Sequence, residues 1–389
     1  MAYSRSARIL LPIIYLGFIS LGLPDGTLGV SWPPLHSELN IPIGFAGTIL
    51  LIATVLSGTA AFSSSRLITR FGTGPIVFVS CLLTGAALMM VSHAQNLYWL
   101  LLAAIPLGVG AGAVDAGLNG YVARHYSGRH MNWLHACWGI GATCGPLIMA
   151  AALSSSGGWR GGYFAIASVQ LSLAVLFLFT LRLWNNVPER ASDSENESRL
   201  DQLPKAGANS PAGWLSAAIF LVYVALEMTI GLWATSILVV ARGVPQESAA
   251  LCAAAYYASI TTGRIGIGFI VDRLGNRRAV ALGLTLSIIG ASLFAFANST
   301  PMAATALVML GLGLAPIYPC LMHEVPRRFT PEAVQIVIGR QSGAAAFGGA
   351  TLPAMSGWIA EYSLNGIAWI VVAGMFALLV SIRRLDRIT

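Results

Sequence analysis

The chain has 389 residues, 56% of them hydrophobic and 10% charged, with a net charge of +7 and a mean hydropathy of +0.74. Soluble domains carry about 25% charged residues, so this composition excludes a soluble globular chain and points to the membrane class. The basic residues sit between apolar runs rather than along one face, which argues against nucleic acid, and the five cysteines lie inside apolar runs with no zinc spacing.

Twelve apolar segments follow one another, near 9–34, 41–64, 74–92, 97–122, 132–153, 161–184, 213–239, 246–270, 278–297, 301–326, 334–360 and 364–383. Each is compatible with the about 20 residues that a membrane helix needs. No small-residue cleavage pattern follows the first. Of the 22 Lys and Arg, 18 lie in the N-terminal tail, the even-to-odd loops and the C-terminal tail. Only Arg160 and Arg242 lie in the opposite loops, and Arg264 and Arg340 lie inside spans. The positive-inside rule then predicts cytoplasmic termini and an even number of spans. The expected location is a cell membrane, the inner membrane of a bacterium.

Span 1 contains Asp25, flanked by Pro24 and Gly26. A carboxylate at that depth costs about 2.5–3.5 kcal/mol on insertion scales. It either caps a helix break made by Pro24 and Gly26 or serves as a proton or solute site facing water. Span 4 carries Asp115 and Asn119 at i, i+4, on one face, behind Gly108, Gly110 and Gly112. No strand precedes these glycines, which rules out a dinucleotide loop. Asn119 suits a polyol ligand or an interhelical hydrogen bond. Span 5 opens with Asn132, His135 and Trp138. His135 reads as a ligand contact, a proton relay or a packed histidine, and Trp138 as a stacking platform or core.

The polar stretch 185–212 is a flexible cytoplasmic linker between an N-terminal bundle, 1–184, and a C-terminal bundle, 213–389. The halves repeat. Asp25 and Glu227 are 202 residues apart, Arg70-Phe71-Gly72 answers Arg273-Leu274-Gly275 at 203, and Gly108-Val109-Gly110 answers Gly311-Leu312-Gly313 at 203. Gly141-Ala142-Thr143 answers Gly349-Ala350-Thr351 at 208. In span 7, Tyr223 and Glu227 share a face. Pro316 and Pro319 around Tyr318 predict a bend in span 10. Span 11 carries Arg340, Gln341 and Phe347, then Pro353, and is expected to bend as well. With Tyr318 and Phe347, Tyr256, Tyr257 and Trp233 complete a set of aromatics that are ring contacts for a solute or packing residues. Of the three acids inside spans, Asp25, Asp115 and Glu227, one or two could instead hold partners such as Arg264 or Asn119. No hydrolytic triad, HExxH or nucleotide loop supports an enzyme.

The loop after span 8, Gly268-x-x-x-Asp272-Arg273-x-Gly275-x-Arg277-Arg278, closely resembles the signature loop of the major facilitator superfamily. Its first-half copy has Thr69 in place of the acid. The resemblance covers essentially the whole chain. Within the superfamily the chain is similar to the fucose-permease and glucose-transporter-like branch, on Asp25, Asp115, Asn119, Asn132-x-x-His135, Tyr223-x-x-x-Glu227, Ala315-Pro316-x-x-Pro319 and Gly348-Gly349-Ala350. Asp115 stands where the branch usually has Glu, and Gly120 where fucose permease has Pro.

The resemblance implies an all-α polytopic membrane protein: twelve transmembrane helices in two pseudo-symmetric six-helix bundles. It implies a secondary transporter working by alternating access as the two halves rock. The expected activity is proton-coupled symport of a sugar or similar small polar solute; the alternative is a proton-driven antiporter exporting drugs or metabolites, suggested by Gly141-x-x-x-Gly145-Pro146. In such transporters the first and fourth helices of each half line the central cavity, so Asp25, Asp115 and Glu227 are assigned to proton coupling. Asn119, Asn132, His135, Trp138, Tyr223, Tyr256, Tyr318, Gln341 and Phe347 are assigned to the solute. Arg70, Gly72, Asp272, Arg273, Gly275 and Arg277 are assigned to gating. The expected partners are a small-molecule substrate, a coupling ion (H⁺, with Na⁺ as the other option) and the lipid bilayer. No cofactor, metal or nucleic acid is expected, and the protein is expected to be a monomer.

Overall fold

In hydrocarbon every backbone N–H and C=O must be bonded internally, so long apolar runs fold as helices. A computed structural model describes residues 5–126, 128–186 and 206–389. The side chains of Asn132 and Asp272 lie outside the described residues. Among the described residues helices are joined by short turns, and the one β pairing is a parallel bridge between Ala206 and Phe329. Its helices are α1 Arg5–Gly22, α2 Thr27–Glu38, α3 Phe45–Phe71, α4 Thr73–Ser92, α5 Leu97–His125, α6 Gly128–Leu153 and α7 Gly158–Thr180. A 3₁₀ turn, Leu181–Asn186, follows α7. Then come α8 Pro211–Ser236, α9 Gln246–Leu274, α10 Asn276–Phe296, α11 Thr300–Leu314, α12 Ile317–His323, α13 Val325–Arg328, α14 Pro331–Ala360 and α15 Leu364–Ile388. A π turn, Ile237–Ala241, extends α8.

Among the described residues nine helical segments are long and apolar enough to cross a membrane. The other three long helices, α3, α9 and α14, are spans 2, 8 and 11. α3 is apolar over Phe45–Ala61, whereas α9 and α14 are richer in Ser, Thr, Gly and charge, as in Thr261-Thr262-Gly263-Arg264 of α9 and Gly339-Arg340-Gln341-Ser342-Gly343 of α14. Two prolines without a counterpart in the other half break spans. Pro24 separates α1 from α2, and Pro316 separates α11 from α12. The bend expected in span 11 takes no such form, because α14 runs unbroken with Pro353 inside it.

The described chain divides into two compact units, Met1–Arg190 with Pro245–Ala254, and Ala191–Val244 with Ala255–Thr389. In the first, α1 packs on α6, α5 on α3 and α4, and α4 on α7. In the second, α8 packs on α14, α10 on α11, and α15 on α8 and α10. The repeat read from the sequence reappears in this packing. A Cβ on Gly110 would stand 2.7 Å from the Ser80 carbonyl, and one on Gly313 2.5 Å from the Gly283 carbonyl; both pairs are 203 residues apart. Gly108 abuts Ala53 as Gly311 abuts Tyr256, again at 203. Gly72 and Gly275 each join two helices at φ +83°, a conformation that favours glycine. One correspondence moves by a residue. Gly141 meets the Ile19 carbonyl and Gly348 meets the Leu221 carbonyl, so Gly141 corresponds to Gly348 rather than Gly349.

Candidate functional site

In the first unit the chain leaves the helix after Gly22, passes Pro24 and re-enters at Thr27 through Gly26 at φ +72°. Asp25 lies in that break, half-buried. Its Oδ2 accepts from Trp138 Nε1 on α6 at 2.8 Å. The break lies close against α6, because a Cβ on Gly141 would fall on the Ile19 carbonyl and one on Gly145 on the Leu23 carbonyl. One turn before Trp138, His135 is exposed, and its ring meets Phe18 edge-on at 5.9 Å. On α5, Asn119 Nδ2 donates to Asp115 Oδ1 at 2.9 Å, as the i, i+4 spacing predicts.

The second unit has a different arrangement. Glu227, 5% exposed on α8, lies 3.3 Å from the guanidinium of Arg264 on α9. Tyr223 and Tyr256 are buried, and their hydroxyls donate to the backbone carbonyls of Leu314 (3.2 Å) and Glu227 (3.1 Å). Both therefore tie helices of this unit together. Tyr318, on α12, packs against Phe220 at 4.8 Å and Tyr223 at 6.0 Å. Gln341 is buried and donates to Ser216 Oγ at 2.6 Å. Phe347 is exposed. Arg340 donates to the Ala208 carbonyl at 2.6 Å and to Asn209 Oδ1 at 2.8 Å. It thus fastens the segment just before α8 to α14.

Of the residues assigned to gating, Arg70 lies over the ring of its neighbour Phe71 at 5.3 Å, and Arg273 is exposed. Arg277 joins a cluster that sequence reasoning did not assemble. Glu324, 4% exposed, lies 3.6 Å from Arg277, 3.2 Å from Arg327 and 3.9 Å from Arg328, and accepts from Asn276 at 2.8 Å. Arg328, also 4% exposed, reaches Asp386 at 2.7 Å. The signal in the sequence was Glu324 with arginines three and four residues on, a spacing that puts them on one helical face. Gln170, an amide in the middle of span 6, was a second such signal. Among the described residues no cluster of three His, Cys, Asp or Glu is placed to hold a metal.

The chain resembles curated proteins along most of its length. It is 23% identical to the cis,cis-muconate transport protein of Acinetobacter baylyi, covering 96% of this chain and 92% of that one. It is 21% identical to Bypass of stop codon protein 6 of Saccharomyces cerevisiae, covering 92% and 78%. Among solved structures, the nucleoside transporter NupG superposes with a TM-score of 0.76 at 12% identity, over 98% of this chain and all of that one. A bacterial homologue of the human lysosomal transporter Spinster, inward-facing and occupied, gives 0.76 at 14%, over 100% and 98%. The sequence profile of the Major Facilitator Superfamily matches residues 14–226 and again 215–387. Two six-span bundles, a repeat preserved in packing, and a profile matched once per half make this chain a member of the Major Facilitator Superfamily, a transporter and not an enzyme.

Proposed function

We propose that this transporter is a proton-coupled symporter of a small neutral polyol, a sugar or a related solute, with Asp115 and Asp25 as the proton-carrying groups. The observation that carries this reading is the Asp115–Asn119 pair. A primary amide has a donor and an acceptor end, so it can bond a carboxylate through its NH₂ or, turned over, a carboxylic acid through its oxygen. Such a pair keeps its hydrogen bond in both protonation states. The Trp138 indole can likewise donate to Asp25 whether or not the acid carries a proton.

Glu227 is different. Its partner Arg264 carries a charge at every physiological pH. Protonating Glu227 would break an ion pair, whereas protonating Asp115 breaks none. We therefore give Glu227 a holding role in the second unit and leave coupling to the first. Well inside the described spans, away from their ends, stand Asp25, Asp115 and Glu227 against Arg264, while Arg340 is engaged by Ala208 and Asn209. That excess of acid disfavours an anionic solute. A neutral diol is the chemistry that sugars share with the nucleosides named for one structural neighbour. The charge pattern of the loops supports an orientation with both termini cytoplasmic.

The test is uptake by purified protein in proteoliposomes under an imposed pH gradient. The solutes are those that raise apparent unfolding temperature in a screen of sugars, nucleosides and cis,cis-muconate. Asp115→Asn should lose gradient-driven accumulation by at least about tenfold, while exchange of labelled for unlabelled solute persists. Gradient-driven accumulation at the wild-type level in both Asp115→Asn and Asp25→Asn removes the proposal.

A further inference from the structure

We propose that Gln170 is a positioning residue that splints the break in span 1 and so holds Asp25 in place. This rests on the role given to Asp25 above, but its geometry stands apart from that role. Pro24 has no N–H, and in an unbroken helix that N–H would bond the carbonyl of Ser20. Helical register survives up to that point, since Leu23 N–H still bonds the Ile19 carbonyl at 3.1 Å. The Ser20 carbonyl is thus the one that Pro24 deprives of its donor. It is buried in the first unit, where water cannot replace the lost bond.

Gln170 supplies it. This side chain, 2% exposed near the middle of α7, donates from Nε2 to the Ser20 carbonyl at 2.9 Å, across 150 residues of sequence. Beyond the proline the chain repairs itself locally. Asp25 N–H bonds the Gly22 carbonyl at 3.0 Å, and Thr27 Oγ1 donates to the Leu23 carbonyl at 2.7 Å. The break is therefore held from two sides. α6 brings Gly141, Gly145 and the Trp138 indole, and α7 brings one amide.

The other end of that amide shows what it is for. Gln170 Oε1 is buried and has no hydrogen-bond partner among the described residues. An unsatisfied buried acceptor is a cost that leucine at the same position would avoid. A residue kept only to fill space or to add apolar contact would not carry it. The donor to Ser20 is the part of Gln170 that leucine cannot supply.

Hydrogen–deuterium exchange of the full-length protein in detergent tests this with four forms: wild type, Gln170→Leu, Pro24→Ala and the double variant. Gln170→Leu should speed exchange of the amides of residues 20–27 on the order of threefold to tenfold, leaving α4 and α5 unchanged. Pro24→Ala restores an N–H aimed at the Ser20 carbonyl, so the double variant should exchange there as slowly as Pro24→Ala alone. Unchanged exchange at the break in Gln170→Leu overturns the proposal, as does a rise spread evenly over the first unit. So does a double variant that exchanges faster than Pro24→Ala. If Gln170→Leu does not fold, the double variant must fold wherever Pro24→Ala does, and its failure is decisive against the splint. Asp25→Asn uptake separates the two claims: normal coupling in that variant defeats the transport role of Asp25 and leaves the exchange pattern standing.

Discussion

The two halves close the same joint with opposite chemistry. In the second unit the end of span 10 is tied to α10 and α15 by charge: Glu324, Arg328, Arg277 and Asp386. Counting back 203 residues from Glu324, Arg328 and Arg277, and 202 from Asp386, gives Tyr121, His125, Gly74 and Trp184. These four also form a cluster. Tyr121 stacks on His125 at 4.0 Å, meets the Trp184 ring edge-on at 4.7 Å, and donates to the Trp184 carbonyl at 2.9 Å. Where Arg277 stands in one half, Gly74 leaves room in the other, and a Cβ there would come within 2.8 Å of the Trp184 indole. The joint between the fourth span, the start of the third and the end of the sixth thus survives a complete change of residue type. The repeat keeps the position of the contact, not the kind of bond.

The difference in chemistry predicts a difference in how each joint fails. The largest effect is expected from Glu324→Gln. Arg328 is 4% exposed, and losing the acid beside it leaves a buried guanidinium short of a counter-charge. Breaking a buried pair in this way costs about 3–5 kcal/mol. Titration of the purified protein with SDS should show the loss, and exchange should rise first in α10, α12 and α15. A cost near zero would mean that Asp386 alone satisfies Arg328. Gly74→Ala comes next. The new methyl is forced onto a packed indole, an overpacking cost of about 1–3 kcal/mol, partly offset by the about 0.5–1 kcal/mol that alanine gains over glycine in a helix. Its loss should appear in α4 and α7, without dependence on ionic strength.

The sequence made most of the architecture legible, for physical reasons that particular residues display. Bilayer thickness fixes the length of apolar runs, so the spans could be counted, and glycines at a constant spacing revealed the repeat because helices touch backbone to backbone there. Pro24 and Pro316 marked their breaks, since their counterparts are Leu226 and Ala113, which leave α8 and α5 unbroken. Asn119 beside Asp115 was also legible, being a matter of one helical turn. Partners on different helices were much less so. Nothing in the spacing of Gln170 and Ser20, or of Trp138 and Asp25, shows that they meet, and the carbonyl that Gln170 serves carries no side-chain signature at all. The backbone partners of Tyr223 and Tyr256 were not legible, because an aromatic in a span has the same letter whether its hydroxyl faces a solute or a neighbour's backbone. Arg340 lies within span 11 as the sequence places it, but nothing in its spacing shows that its side chain reaches Ala208 and Asn209.

The smallest effect tests whether exposure, rather than charge as such, ranks the contacts of the ionic joint. Arg277 lies 3.6 Å from Glu324 and 3.9 Å from Asp386, but half of its side chain faces solvent, 51%. Exposed pairs of this kind contribute about 0.2–1 kcal/mol. Arg277→Gln should therefore cost less than about 1 kcal/mol at low salt. The cost should fade as salt rises to 1 M, where the screening length shrinks from about 10 Å to about 3 Å. The cost of Glu324→Gln should persist at both salt concentrations, because Arg328 is shielded by protein and not by ions. Gly74→Ala should also be indifferent to salt, since the joint it disturbs holds no ion pair among these four residues. If Arg277→Gln proved as costly as Glu324→Gln at 1 M salt, the ionic joint would be a single network in which exposure decides nothing. Its contrast with the aromatic joint would then be one of composition alone.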